Sequence, residues 1–186
     1  DKRGLRSAAL TRVALNPGDD VSVDVERHGD GFGVKVEGNR FDARPILAEL
    51  KAGIARDKKG RSGGGTFDIT MDVVRIDGFN GRGVDGFSLN YASADGRMAA
   101  LALGGSIGGA VLAGDLAPQN DNRRIRIASG NVGGLLGFTG LYSHMDGGQG
   151  SLTLVGSPDA GYGGEVKLTN FNLVDEPRLS RIVGVD

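Results

Sequence analysis

The chain has 186 residues, enough for about one domain whose core can bury roughly 70% of the unfolded surface. Its 22 Lys and Arg against 23 Asp and Glu leave a net charge of −1, no footing for nucleic acid or an anionic membrane surface. The absence of Cys excludes disulfides and thiolate metal sites; the 34 Gly lack a three-residue period, which excludes collagen, and they disfavour long helices.

Apolar residues alternate along most of the chain. Val21, Val23 and Val25 share one face, and Phe32, Val34 and Val36 answer them across His28-Gly29-Asp30-Gly31, which predicts a hairpin. Asp42 is placed to cap a helix from Ala43 to Ile54, with Pro45 in its first turn and Ile46, Leu47, Leu50 and Ile54 at helical spacing. Asp57 to Gly65, DKKGRSGGG, reads as a linker or loop. It would divide N-terminal strands, hairpin and helix over 1–56 from a main antiparallel sheet with short helices over 66–186.

In that larger part Phe67, Ile69, Met71 and Val73 alternate with Asp68, Thr70 and Asp72, and the phase slips at Val74 and Ile76 as at a bulge. Phe67, Ile69 and Met71 are expected on the buried face. Phe87, Leu89 and Tyr91 lead through Ala94-Asp95-Gly96 into Leu101 and Leu103, after which the parity is ambiguous from Gly104 to Leu116. Ile125 and Ile127 alternate with Arg124 and Arg126; Asn131 then caps a glycine-weakened helix carrying Leu135, Leu136 and Phe138. Leu152 and Leu154, then Val166 and Leu168, flank the turn Ser157-Pro158-Asp159-Ala160-Gly161. A third helix follows Asp175, with Pro177, Leu179, Ile182 and Val183. About ten strands with hairpin-length turns predict a mostly β fold: a curled antiparallel meander with an apolar concave face and two or three short helices.

Gly81-Arg82-Gly83-Val84-Asp85-Gly86 spells the dinucleotide fingerprint GxGxxG, but a strand, Phe87 to Tyr91, stands where a pyrophosphate needs a helix N-terminus. It reads as a turn. Gly147-Gly148-Gln149-Gly150 is similar to a calcium-binding β-roll repeat, yet Leu152 occupies the Asp position and nothing repeats, so it too reads as a turn. His28 and His144 lie beside turn residues, outside any zinc-ligand spacing, and are expected at the surface. Gly104-Gly105-Ser106-Ile107-Gly108 only approaches a nucleophile elbow, and no motif supplies a base. Asp68 and Asp72 suit a solvated strand face better than an acidic pair. The doublets Lys58-Lys59 and Arg123-Arg124 carry no interleaved aromatics for single-stranded nucleic acid. These residues point to no catalytic, metal or cofactor site.

Four segments, in order, carry a resemblance: FDARPILAEL at 41–50, TFDITMDVVRIDGFNGRGVDGFSLNYASADGRMAALALGGSIGG at 66–109, RRIRIASGNVGGLLGFTGLYSHMDGGQGSLTLVG at 123–156, and GYGGEVKLTNFNLVDEPRLSRIV at 161–183. The most specific stretches are Leu141–Gly148 and Asn170–Leu179. Over roughly 41–183 the chain resembles the C-terminal region of the large AsmA-like (YhdP-type) bacterial envelope proteins. The resemblance implies a non-enzymatic protein anchored in the inner membrane and projecting into the periplasm. It also implies kinship with bridge-like lipid transfer proteins, whose curled sheets offer acyl chains an apolar groove.

On that reading the groove candidates are Phe67, Ile69, Met71, Phe87, Leu89, Leu101, Leu103, Ile125, Ile127, Leu152, Leu154, Val166 and Leu168. Asp68, Asp72, Arg124, Arg126 and Lys167 would face water. The partners would be phospholipid acyl chains and neighbouring segments of the same full-length protein, with no nucleic acid. With no 18-residue apolar run, and with ends at Asp1-Lys2-Arg3 and Val185-Asp186, the chain is expected to be a non-transmembrane fragment of that longer protein. The alternative class is a non-catalytic structural or docking module that binds envelope protein partners. A groove open at both ends favours the first class, and a closed core with an exposed apolar patch favours the second. Zinc, calcium or NAD should leave the thermal midpoint unmoved; a rise of several degrees with any of them would show a native-state site that the motifs do not contain.

Overall fold

The structure, a computed structural model, describes residues 7–14, 16–56, 66–95, 97–120, 122–157 and 160–175. Its elements in order are β1 (Ser7–Val13), β2 (Asp20–His28), β3 (Gly31–Asp42), α1 (Arg44–Arg56), β4 (Phe67–Asp77) and β5 (Gly83–Ala94). They continue as β6 (Arg97–Ile107), β7 (Ala110–Gln119), β8 (Asn122–Ser129), α2 (Val132–Thr139), β9 (Met145–Ser157) and β10 (Gly161–Leu173). All ten described strands join one open sheet in sequence order. The fold is mostly β.

One junction departs from a pure antiparallel meander: β3 and β4 pair in parallel, from Phe32 opposite Phe67 to Asp42 opposite Asp77. The physical reason is α1, which carries the chain back so that β4 starts at the end where β3 started. Through that junction the strands of the N-terminal hairpin and those of the larger part share one sheet. The linker at 57–65 and the third helix beyond Asp175 lie outside the described residues.

Local chemistry sets the turns. Asn80 and Gly81 have φ of 54° and 66°, and the Arg82 N–H donates to the Phe79 carbonyl at 3.0 Å, the pattern of a type I′ hairpin. The GxGxxG stretch is therefore a turn and the start of β5. Gly108 and Gly109 make the next hairpin and fix the parity left open between Gly104 and Leu116. Gly147-Gly148 is not the expected turn. It lies inside β9, where the ladder to β10 skips the pair opposite Asn170. A Cβ on Gly148 would stand 2.7 Å from Phe171 Cβ, so the glycine serves a close approach of two strands where both backbones turn left-handed and the register is kept.

The phase slip in β4 is real, but no extra residue in β4 alone produces it. Val73 and Ile76 are 2% and 4% exposed while Val74 between them is 63% exposed. The ladders on both sides skip Val74 and resume at Arg40, Arg75 and Asp85 with their offsets unchanged. The same crease shows as a register shift between β2 and β3 beside Asn39, and as one between β5 and β6 beside Gly86 (φ 58°). Beyond it Phe41, Ile76, Val84 and Ile107 join Val21, Val36, Val73, Leu112 and Phe138 in one buried cluster.

Both helices close this end of the sheet. The Arg44 N–H donates to Asp42 Oδ1 at 3.0 Å and the Leu47 N–H to the Ala43 carbonyl at 2.9 Å, so Ala43 takes the cap position and Asp42 braces it from one residue earlier. Ala43 and Leu47 reach the core, whereas Ile46 and Leu50 remain exposed. In α2 the expected cap is present, with the Gly134 N–H donating to Asn131 Oδ1 at 2.8 Å. The glycines that weaken this helix let it lie against the sheet. A Cβ on Gly133 would come within 2.5 Å of the Met145 carbonyl oxygen, and one on Gly134 within 2.6 Å of Ile107 Cγ2. Ile107→Ala should cost about 2–5 kcal/mol in urea unfolding. Val111→Ala, at a side chain 70% exposed, should stay within about 0.5 kcal/mol.

Candidate functional site

Paired residues in a sheet point to the same face, so register converts alternation into a surface. One row crosses every strand: Leu10, Val23, Val36, Met71, Leu89, Leu103, Gly114, Ile127, Leu152 and Val166. Gly114 is its one gap, and Leu103 fills it: a Cβ there would lie 2.9 Å from Leu103 Cγ. A second row runs through Val25, Val34, Ile69, Tyr91 and Leu101, then through Leu116, Ile125 and Leu154. The rings of Phe67 and Tyr91 pack with centroids 5.6 Å apart. At this end Arg27 lies 5.9 Å over the Phe32 ring, and the Arg123 guanidinium donates to the Met98 carbonyl.

The register brings every groove candidate named from the sequence onto this one face. Ile69, Met71, Phe87, Leu89, Leu101, Leu103, Ile125, Ile127, Leu152 and Leu154 are half-buried, while Phe67, Val166 and Leu168 are exposed. Phe67 thus departs from the expected burial, because it sits at the end of β4 remote from the helices. Asp68, Asp72, Arg126 and Lys167 are exposed on the opposite face. Arg124 is half-buried there and meets Asp115 at 3.6 Å.

The helices cover only one end of the apolar face. Val23, Val34, Met71, Phe87, Leu103 and Ile127 still pack against the buried cluster, but Ile69, Leu89, Leu101, Ile125, Leu152 and Leu154 lie outside that packing. The residues that sequence reasoning missed are those beyond the crease. Val84, inside a motif read as a turn, is fully buried, and Ile107 and Leu112 join it. The one available signal was the apolar character of these positions beside so many glycines.

A charged cluster borders the helix end. Arg40 meets Asp77 at 2.5 Å, and Arg75 bridges Asp77 at 3.1 Å and Asp85 at 2.6 Å. Arg44 forks onto Asp42 at 2.8 and 2.6 Å, while the Asp42 N–H donates to buried Asp19 at 2.7 Å. With Arg82 these groups, Asp85 apart, line a cleft of about 360 Å³. Each carboxylate is engaged by a guanidinium or a backbone N–H, so the cluster is built to fasten β2, β3, β4 and α1 together. His28 is exposed beside Glu26 at 3.7 Å, and His144 Nδ1 lies 3.2 Å from the Val174 carbonyl. Among the described residues no group of three or more His, Asp or Glu is placed to hold a metal, and no helix is long and apolar enough to cross a membrane.

The chain matches no protein-family model, no curated protein and no solved structure.

The hydrogen bond from the Arg44 guanidinium holds the Asp42 carboxyl below its ordinary value, against the opposing effect of burial. A carboxylate with a depressed folded pKa stabilises the protein above its unfolded value, about 3.9 for Asp, and that contribution is lost as pH falls through the folded value. Asp42→Ala should therefore cost about 0.5–2 kcal/mol at neutral pH, and the difference should shrink as the pH is taken below about 4. Denaturant titrations of both proteins across that range check the sign; a gap that widens in acid would refute it.

Proposed function

We propose that the chain is a segment of a periplasmic, inner-membrane-anchored AsmA-like protein, and that its apolar face carries phospholipid acyl chains in outer-membrane homeostasis. The observation that supports this reading is the apolar row crossing all ten strands with helical cover at one end only. An acyl chain makes no hydrogen bonds and asks only for apolar area, worth roughly 25 cal/mol per Å² removed from water. Side chains such as Ile69, Leu89, Leu101 and Ile125 offer that area without a competing donor or acceptor. Ten strands at a spacing of about 4.8 Å make a band on the order of 45 Å wide, the dimension of a conduit more than of a pocket. Arg27 and Arg123, at the end away from the helices, are cations of the kind that suits a phosphate headgroup. The family resemblance supplies the envelope setting, and the proposal requires the sheet to curl so that the apolar face is the inner one.

A photo-crosslinker at Leu101 in the full-length protein should capture phospholipid in cells, and one at Asp72 on the opposite face should not. Capture of protein alone at Leu101, or equal lipid capture at both positions, would remove the basis for a groove.

A further inference from the structure

The last strand is an edge built like an interior strand. All thirteen residues of β10 are exposed, and its outer backbone edge has no partner among the described residues. Edge strands normally blunt themselves with proline, with charge such as Lys, with bulges or by being short. β10 runs thirteen residues without proline, keeps the alternation of its neighbours, and carries only Glu165 and Lys167 as charges, which are of opposite sign. Tyr162, Val166 and Leu168 lie on the apolar face, and Glu165, Lys167 and Thr169 lie on the other.

We infer that β10 pairs antiparallel with β10 of a second copy of this chain, about a two-fold axis at Val166. The sequence of the strand is self-complementary about that residue. With Val166 opposite itself, Glu165 stands across from Lys167 of the second copy, and Lys167 across from its Glu165. On the apolar side Gly164 meets Leu168, and on the polar side Gly163 meets Thr169, a small residue against a larger one each time. Lys167 and Glu165 already pair at 3.2 Å within the strand, both well exposed, so two copies form a four-charge network. Such a dimer is closed, and its axis is perpendicular to the sheet, so it joins the two apolar faces edge to edge.

The other edge fits β10 less well. β1 has seven residues, and its ladder breaks between Leu10 and Val13. It runs in the same direction as β10, so a β10–β1 contact would be parallel and would propagate without closing. Ser7, Ala9 and Thr11 on its polar side carry no charge to pair with Glu165 or Lys167.

Sedimentation of the 186-residue chain over a concentration series should show a monomer–dimer equilibrium. Lys167→Glu alone, or Glu165→Lys alone, should weaken it roughly tenfold or more by placing like charges across the axis, and the double reversal should restore it. Unchanged circular dichroism keeps a folding defect from imitating that result. The chain has no Cys, so Val166→Cys introduces a unique thiol. Directly opposed Cα atoms about 4.5–5.5 Å apart allow a disulfide, and mild oxidation should cross-link that variant to itself. A monomer at every concentration, a dimer indifferent to the charge reversals, or cross-linking of Val166→Cys to Leu10→Cys in preference to itself would each overturn the inference.

Discussion

The parallel contact of β3 with β4 sets the phase of everything else. It aligns Val34 with Ile69 and Val36 with Met71, and so holds the apolar rows of the N-terminal hairpin in step with those of the seven later strands. A slip of one residue at this junction would set Asp72 beside Val36 and Thr70 beside Val34, and would turn the polar side of one part toward the apolar side of the other. The ion pairs at its end guard that register. Arg40 of β3 bonds Asp77 of β4, Arg75 ties Asp77 to Asp85 of β5, and Asp42 receives the start of α1. Exposed pairs of this kind add little free energy individually, but they are satisfied together in only one alignment.

The crease decides where the core can close. By shifting the phase at Asn39, Val74 and Gly86 it brings Phe41, Ile76 and Val84 into the same cluster as Val73, against Phe138 of α2. Glycines in α2 then allow the close approach that Ile107 and Met145 require. The consequence is a sheet with two regimes. One end is packed and helix-covered, and the other is an apolar surface held by ladder hydrogen bonds and cross-strand pairs alone.

How far the sequence could be read follows from the range of each signal. Period-2 alternation and the Asn131 cap are local, and both appear where the residues put them. The direction of β4 was not legible, because a strand alternates identically in parallel and antiparallel pairs, and here the pairing partner β3 is separated from it by α1. Gly147-Gly148 was misread for a related reason: a turn and a close approach inside a ladder ask for the same left-handed backbone, and only the opposing Asn170 and Phe171 distinguish them. The burial of Val84 and the exposure of Phe67 depend on which end of the sheet the helices cover. No window of neighbouring residues carries that information. The groove candidates were legible as one face, because a face needs only parity, whereas its cover is tertiary.

The uneven cover carries a thermodynamic argument about what can occupy the face. At the helix end, opening a strand exposes Val73, Val84 and Ile107 and so requires disruption of the whole cluster. At the other end, Ile69, Leu101, Ile125 and Leu154 are already half-exposed, so local opening forfeits less buried area and belongs to the low-energy part of the unfolding spectrum. An occupant laid across those rows removes their remaining apolar surface from water and binds only the paired sheet, which raises the free energy of opening there by mass action. A lipid chain and a second β10 edge would do this differently: the chain would cover the face across several strands, whereas the edge would add backbone hydrogen bonds to one strand and leave the face bare. The two are therefore compatible on the same molecule, and an edge-to-edge pair would lengthen the apolar band without obstructing it.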